Sequence, residues 1–359
     1  MEYLYILQQA LVWIVTIFWL YQLVVSICSL IKLKDKPILE EKQNRFMAII
    51  PAHNEAAVVR NLIESLKNQD YPKDLYDIYV IADNCTDNTA QIARDAGAIV
   101  FERFDDTKKT KGYALQWFLK QKIEEDAPYD AFCVFDADNI ADVNFLKAMN
   151  KKLCQGENVV QGYRDIKNPT DNWITAGYAL FYWTMHRFYH LARYNVGLSP
   201  LLNGTGFKQS WSQRSRWTVG HIQCMKEYTG LLALAVKEKK TLMNLDGLLY
   251  IIGSIPLFIA TIILLLSNFI MYAANAMTGI ELWLNIIKYV LPTFFIPIAT
   301  AIFTMYLEKK PIKPMAKWFI YYPLFLGSWL LINAKCIFKQ DTNWEKIEHV
   351  RDIKIKEIA

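Results

Sequence analysis

The 359-residue chain contains no Cys-x-x-Cys pair, and its six cysteines (28, 85, 133, 154, 224 and 336) show no paired spacing. That excludes a zinc ribbon and a disulfide framework, and leaves reduced thiols in a cytosol-facing protein. No strong charge excess exists either: the net +5 excludes a basic nucleic-acid-binding surface. No basic n-region precedes the first apolar run and no Ala-x-Ala site follows it, so that run is not read as a cleaved signal peptide. With 21% charged and 53% hydrophobic residues, the chain has too little polar surface to be wholly soluble and too much charge for a pure membrane bundle. One soluble domain plus several membrane segments satisfies both limits.

Four apolar runs are long enough to cross a bilayer: Leu4 to Ile31, Leu248 to Ala274, Leu282 to Leu307, and Trp318 to Phe338. Lysines cluster beside them at Lys32-Leu-Lys-Asp-Lys36, Lys237-Glu-Lys-Lys240 and Lys309-Lys-Pro-Ile-Lys313, the distribution expected on the cytoplasmic side. The link Asn275 to Glu281 has no Lys or Arg and is expected outside. Strict counting then puts the tail outside, although it is lysine-rich; Pro323 and Gly327 could break the last run into a re-entrant hairpin and keep the tail inside.

Between the first two runs the pattern changes. Phe46–Ile50, Ile78–Ala82, Ala98–Phe101 and Ala131–Phe135 read as strands, the last buried on both faces, and Val159–Gln161 as a further one. Stretches at helical spacing, 56–67, 86–96 and 112–123, alternate with them. Strands alternating with helices predict a parallel α/β sheet with right-handed crossovers. Asn172 to Asn195 combines eight aromatics with His186, Arg187, His190 and Arg193, as expected of a helix lying in the headgroup layer. Lys208 to Lys240 reads as a second surface-lying segment.

The chemistry-bearing residues sit at strand ends. Pro51-Ala-His-Asn-Glu55 closes the first strand, Ala82-Asp-Asn-Cys-Thr-Asp87 the second, and Asp136-Ala-Asp138 the fourth. Open α/β sheets hold ligands outside the carboxyl ends of their strands, the expected place for a nucleotide. Two carboxylates there are hard oxygen donors, suited to Mg²⁺ or Mn²⁺ carrying a substrate's phosphates. Lys111-Gly-Tyr-Ala-Leu115 opens a helix, where free N–H groups and the lysine can meet a phosphate.

In that order, with Asn203-Gly-Thr-Gly206 and Gln213-Arg-Ser-Arg-Trp217 following, these motifs resemble the inverting family 2 glycosyltransferases of GT-A fold. Membrane-embedded processive synthases of cellulose, mixed-linkage glucan, poly-N-acetylglucosamine and hyaluronan are the most similar in kind. The resemblance implies a GT-A domain over 44–207, including the aromatic helix at about 172–195. It further implies an N-terminal membrane helix with basic flank at 1–36, interfacial helices over 208–245, membrane segments over 246–338 and a tail at 339–359. It also implies that a UDP-sugar donor is held by Pro51, His53, Glu55, Asp83, Lys111, Asp136 and Arg214. Asp138 is then the ligand of Mg²⁺ or Mn²⁺, and Arg216 pairs with the diphosphate, where a planar fork suits phosphate oxygens. Asn203, Gly204, Gln213 and Trp217 fall on the side of the growing polysaccharide acceptor, Trp217 offering a sugar ring its flat face.

The chain departs from that family at one point. Where the family carries a segment with Thr-Glu-Asp, whose aspartate is the general base, Phe207 runs straight into Lys208, and no Thr-Glu-Asp occurs anywhere. Displacement at an anomeric carbon needs a carboxylate within reach of the attacking hydroxyl. Either a loop is left out of the sequence, which is the favoured explanation, or the base is lost and no polymerisation is expected. The 207–208 Cα separation distinguishes the two. The resulting expectation is a multi-pass enzyme of the cell membrane with a cytoplasmic catalytic domain, binding lipid bilayer but no nucleic acid. Its alternatives are transfer of one sugar to a lipid, or a catalytically dead scaffold.

Overall fold

The computed structural model describes residues 2–31, 33, 36–200, 210–275 and 277–338. Asn203, Gly204, the Phe207–Lys208 junction and the tail at 339–359 lie outside them. The chain forms two compact units, a sheet unit built on Lys34–Gly162 and a helical unit of Met1–Leu33, Tyr163–Leu202 and Gln209–Asn343.

In the sheet unit, β1 (Phe46–Ala52), β2 (Tyr76–Asp83), β3 (Ile99–Arg103) and β4 (Ala131–Val134) form a parallel sheet in the order β3-β2-β1-β4. The register pairs Ala48 with Ile78 and with Cys133. β1 is central, and all seven of its residues are buried. Its alternate side chains feed two cores. Ala48 and Ile50 face α2 (Val59–Lys67), whose Val59, Leu62, Ile63 and Leu66 recur at helical spacing and are fully buried. Leu146 of α5 (Phe145–Cys154) and Ala93 of α3 (Thr89–Asp95) join them. Met47 and Ile49 face Ala114 and Phe118 of α4 (Lys111–Glu124).

The fourth strand differs from expectation. β4 is an edge strand, and Phe132 and Val134 are 58% and 40% exposed, so it is not buried on both faces. An uninterrupted apolar run satisfies either placement, because periodicity does not distinguish a central strand from an edge strand whose outer residues are also apolar. Val159–Gln161 forms no strand.

The helical unit comprises α1 (Glu2–Ile27), α6 (Trp173–Met185) running through a π-helical turn (His186–Leu191) into α7 (Ala192–Asn195), α8 (Ser210–Lys239), α9 (Leu242–Ala273), α10 (Gly279–Leu307), α11 (Ile312–Met315) and α12 (Tyr322–Phe338). Among the described residues, three stretches are long and apolar enough to cross a membrane: Glu2–Leu30, Gly279–Leu307 and Ile312–Cys336. α12 is one continuous helix with Pro323 in its first turn, where a missing N–H costs nothing, so the expected hairpin does not form.

The aromatic segment from 172 packs against other helices. Tyr178, Leu180, Tyr182 and Trp183 are buried, and α6 meets α10 and α12. At Gly177 a Cβ would stand 2.6 Å from Phe325 Cγ, so glycine lets the two helices close. Gly177→Ala is expected to cost about 1–3 kcal/mol by overpacking, read as a lower thermal midpoint. α8 packs on α12 through Val219, Ile222, Ile332 and Cys336. α1 is fastened by a buried hub: Arg193 Nε donates to Asp246 Oδ2 (2.9 Å) and Nη2 to Gln22 Oε1 (2.8 Å), while Tyr21 donates to Asp246 Oδ1 (2.8 Å).

Candidate active site

Strand order reverses at β1: β2 and β3 lie to one side and β4 to the other. This is the topological switch point, where open α/β sheets hold their ligands between the loops leaving the carboxyl ends of two neighbouring strands, here β1 and β4. The β1 loop carries His53, Asn54 and Glu55; the β4 loop carries Asp136, Asp138 and Asn139.

Two asparagines brace the neighbouring loops. Asn54 and Asn84 adopt positive φ (56° and 50°), which asparagine tolerates better than other side chains. Asn54 Oδ1 accepts from Thr86 N (2.8 Å), joining the β1 loop to the β2 loop. Asn84 Oδ1 accepts from Asp105 N (2.9 Å) and Asn84 N donates to Arg103 O (2.7 Å), joining β2 to β3. Glu55 N donates to Thr89 Oγ1 (2.8 Å). His53 Nδ1 lies 2.7 Å from the Asp83 carbonyl, so that nitrogen carries a proton and donates to it. Pro51, still within β1, pairs across to Ile81 and is buried.

Asp83, at the end of β2, is held by a residue that the sequence reading did not single out. Arg103 ends β3, is 5% exposed, and donates through Nη1 to Asp83 Oδ1 (2.6 Å) and through Nη2 to Asp105 Oδ2 (2.8 Å) and Lys108 O (3.0 Å). The same guanidinium thus fixes Asp83 and the loop that leads to Lys111. Hydrogen bonds from the Thr107 hydroxyl and N–H and from Lys108 N–H, with Arg103 beside them, hold the Asp105 carboxyl down at about 2. The stability that loop draws from Asp105 is present above the ordinary carboxylate range and is lost as pH falls towards that value.

Lys111 opens α4, capped by Thr110, whose Oγ1 accepts from Tyr113 N (3.4 Å). Its ammonium group contacts Asp136 Oδ1, which brings two expected donor-side residues together. Asp138 Oδ1 accepts from Asn139 Nδ2 (3.1 Å). Among the described residues no group of three His, Cys, Asp or Glu forms a metal cage. The donor set nonetheless fits Mg²⁺ or Mn²⁺ of the kind held by one or two carboxylates, with phosphates and water completing the shell. Burial pushes the Cys133 thiol up to about 12 and raises that of Cys85, which disfavours the thiolate at both positions.

The remaining expected residues belong to α8 in the helical unit. Arg214 is 4% exposed, donates through Nη1 to Phe325 O (3.2 Å) and Ser328 Oγ (2.7 Å), and lies over the rings of Phe325 and Trp329. Trp217 is stacked on Trp329 (centroids 6.0 Å, 23°) and meets Tyr178 edge-on, so one indole face is already covered. The side chains of Gln213 and Arg216 lie outside the described residues.

Residues 47–212 match the glycosyl transferase family 2 profile. This stretch is a family 2 glycosyltransferase domain. A stretch of the chain is 33% identical over 97 residues to the probable glycosyltransferase YdaM of Bacillus subtilis (strain 168), an alignment covering 25% of this chain and 22% of that relative. The chain thus spans about a fifth of the length of the curated relative it matches. In three dimensions it is similar to the mannosyltransferase PcManGT from Pyrobaculum calidifontis, solved in complex with GDP-Man and Mn²⁺: TM-score 0.52 and 16% identity, covering 92% of this chain and 99% of that one. That likeness establishes the fold, a parallel α/β sheet of GT-A type accompanied by long apolar helices. Within the family 2 domain, sequence order singles out His53, Glu55, Asp83, Lys111, Asp136 and Asp138 as candidates, but not Arg103, Asn54 or Asn84. The available signal was an arginine ending a strand two residues before Asp105-Asp106, and an asparagine within two residues of each of two strand ends.

Proposed function

We propose that this chain is a membrane glycosyltransferase that takes a hexose from a UDP-sugar, UDP-glucose first among them, and adds it with inversion to a growing β-linked polysaccharide. The observation that carries the transferase reading is that the loops leaving four parallel strands lie at one end of the sheet, with Lys111 against Asp136 and Asp83 clamped by Arg103. Asp83 and the β1 loop hold the nucleoside, while Lys111 and the α4 N-terminus neutralise the diphosphate. Asp138 would hold Mg²⁺ or Mn²⁺, which would supply Lewis-acid stabilisation of charge on the departing nucleotide. The structural neighbour's complex with GDP-Man and Mn²⁺ supports a nucleotide-sugar donor and a divalent ion. Three membrane-length helices support a membrane location, and the exposed Trp13, Ile17, Trp19 and Leu20 of α1 suit contact with lipid. The lysine clusters favour a cytoplasmic catalytic face, and Trp217 of α8 is assigned to the acceptor side.

Incubating membranes that contain the chain with a panel of radiolabelled UDP-sugars tests this. Label in high-mass or insoluble material is expected, with UDP-glucose the best donor. Label extractable into organic solvent would replace the polymer with a lipid acceptor.

A second reading rests on the missing Thr-Glu-Asp: a protein that binds the nucleotide-sugar without transferring it. UDP binding with no labelled product from any donor would favour that reading.

A further inference from the structure

The segment that follows α1 is bound along α5 of the sheet unit. Leu39 N donates to Cys154 O (2.7 Å), Gln155 Nε2 to Lys36 O (2.8 Å), and Asn150 Nδ2 to Lys42 O (2.8 Å). Between this strap and α5 runs a groove of ≈ 400 Å³ lined by Ile38, Lys42, Lys147, Ala148, Lys151 and Cys154. Sequence-remote lysines thereby meet on one rim, next to two apolar side chains left in water: Ile38 is 49% and Leu39 73% exposed.

We propose that this strap and groove form a docking face for anionic phospholipid headgroups, with Ile38 and Leu39 entering the headgroup layer and Lys42, Lys147 and Lys151 meeting phosphates. The inference rests on the membrane location proposed above. Lipid is the occupant chosen because Ile38 follows Leu30, the end of a membrane-length helix, by eight residues. That tether reaches at most about 28 Å. Lysines just beyond such a helix attract anionic lipid, and exposed apolar side chains among them suit the interface. Lys42 pairs with Asp130 (2.5 Å) and Lys147 with Asp70 (2.8 Å), but these pairs are solvent-exposed and exchange partners at little cost. Glu41, also on the rim, is the one carboxylate lining the groove and opposes phosphate there.

The test is hydrogen exchange of the full chain in nanodiscs of phosphatidylcholine, with or without phosphatidylglycerol. Amides of residues 36–44 are expected to exchange at least about threefold more slowly in the anionic discs, with the difference removed by high salt. The difference should also disappear in the Lys147→Gln/Lys151→Gln variant. Equal exchange in the two disc types overturns the docking face. Equal protection by soluble glycerol phosphate in phosphatidylcholine discs overturns the lipid assignment. A carbonate wash of membranes is run alongside: release of the chain would overturn the membrane location itself, whereas retention with equal exchange overturns only the groove.

Discussion

Asp138→Ala is expected to lower sugar transfer by about a thousandfold or more, the scale of losing a charge-stabilising partner at a departing phosphate. The carboxylate lies in the loop beyond β4, outside both cores of the sheet unit. Thermal unfolding should therefore change little while turnover collapses. Added Mn²⁺ should not rescue the variant, because an ion held by the nucleotide alone is not positioned against the sheet. Measuring initial rates across a Mn²⁺ titration separates the cases: turnover recovered at high Mn²⁺ would mean that Asp138 only tightens ion binding, and full turnover throughout would place the ion elsewhere.

Arg103→Met should act through stability and site geometry together. The Asp83 side chain is 10% exposed and faces Arg103 at 2.6 Å. Removing the guanidinium leaves a buried carboxylate without its counter-charge, a loss of about 3–5 kcal/mol. It also frees Asp105 and the loop to Lys111, which Arg103 ties down. Chemical denaturation of the variant is the measurement. Adding Asp83→Leu should restore much of the lost stability, since an apolar pair of similar volume removes the stranded charge. Nucleotide binding should stay lost in the double variant. Restored stability with restored binding would show that Asp83 and Arg103 serve the fold alone.

The sheet was legible because its strands are short apolar runs separated by helices whose apolar residues recur at helical spacing, as Leu62, Ile63 and Leu66 do. The position of β4 was not, since Phe132 and Val134 are apolar yet exposed at the edge. The packing of the aromatic helix from Trp173 on α10 and α12 was not legible, because an aromatic pattern does not say which helices its buried face meets. The candidate donor-side residues were picked out by their order along the chain, and the contact of Lys111 with Asp136 brings two of them together. Arg103 was hidden by the same feature that makes it matter: its partner Asp83 lies 20 residues away and is adjacent only across the β2–β3 register. Arg214 shows the converse. Its place in a motif suggested phosphate, and the structure shows it buried against Phe325, Ser328 and Trp329.

Calorimetric titration of UDP into the full chain, with and without Mn²⁺, tests most directly whether the strand ends of β1 and β4 hold a nucleotide diphosphate. Saturable binding that strengthens with Mn²⁺, disappears in Asp83→Ala, loses its ion dependence in Asp138→Ala and persists in Trp217→Ala is the predicted result. UDP binding indifferent to both aspartates, or absent with and without the ion, would contradict it.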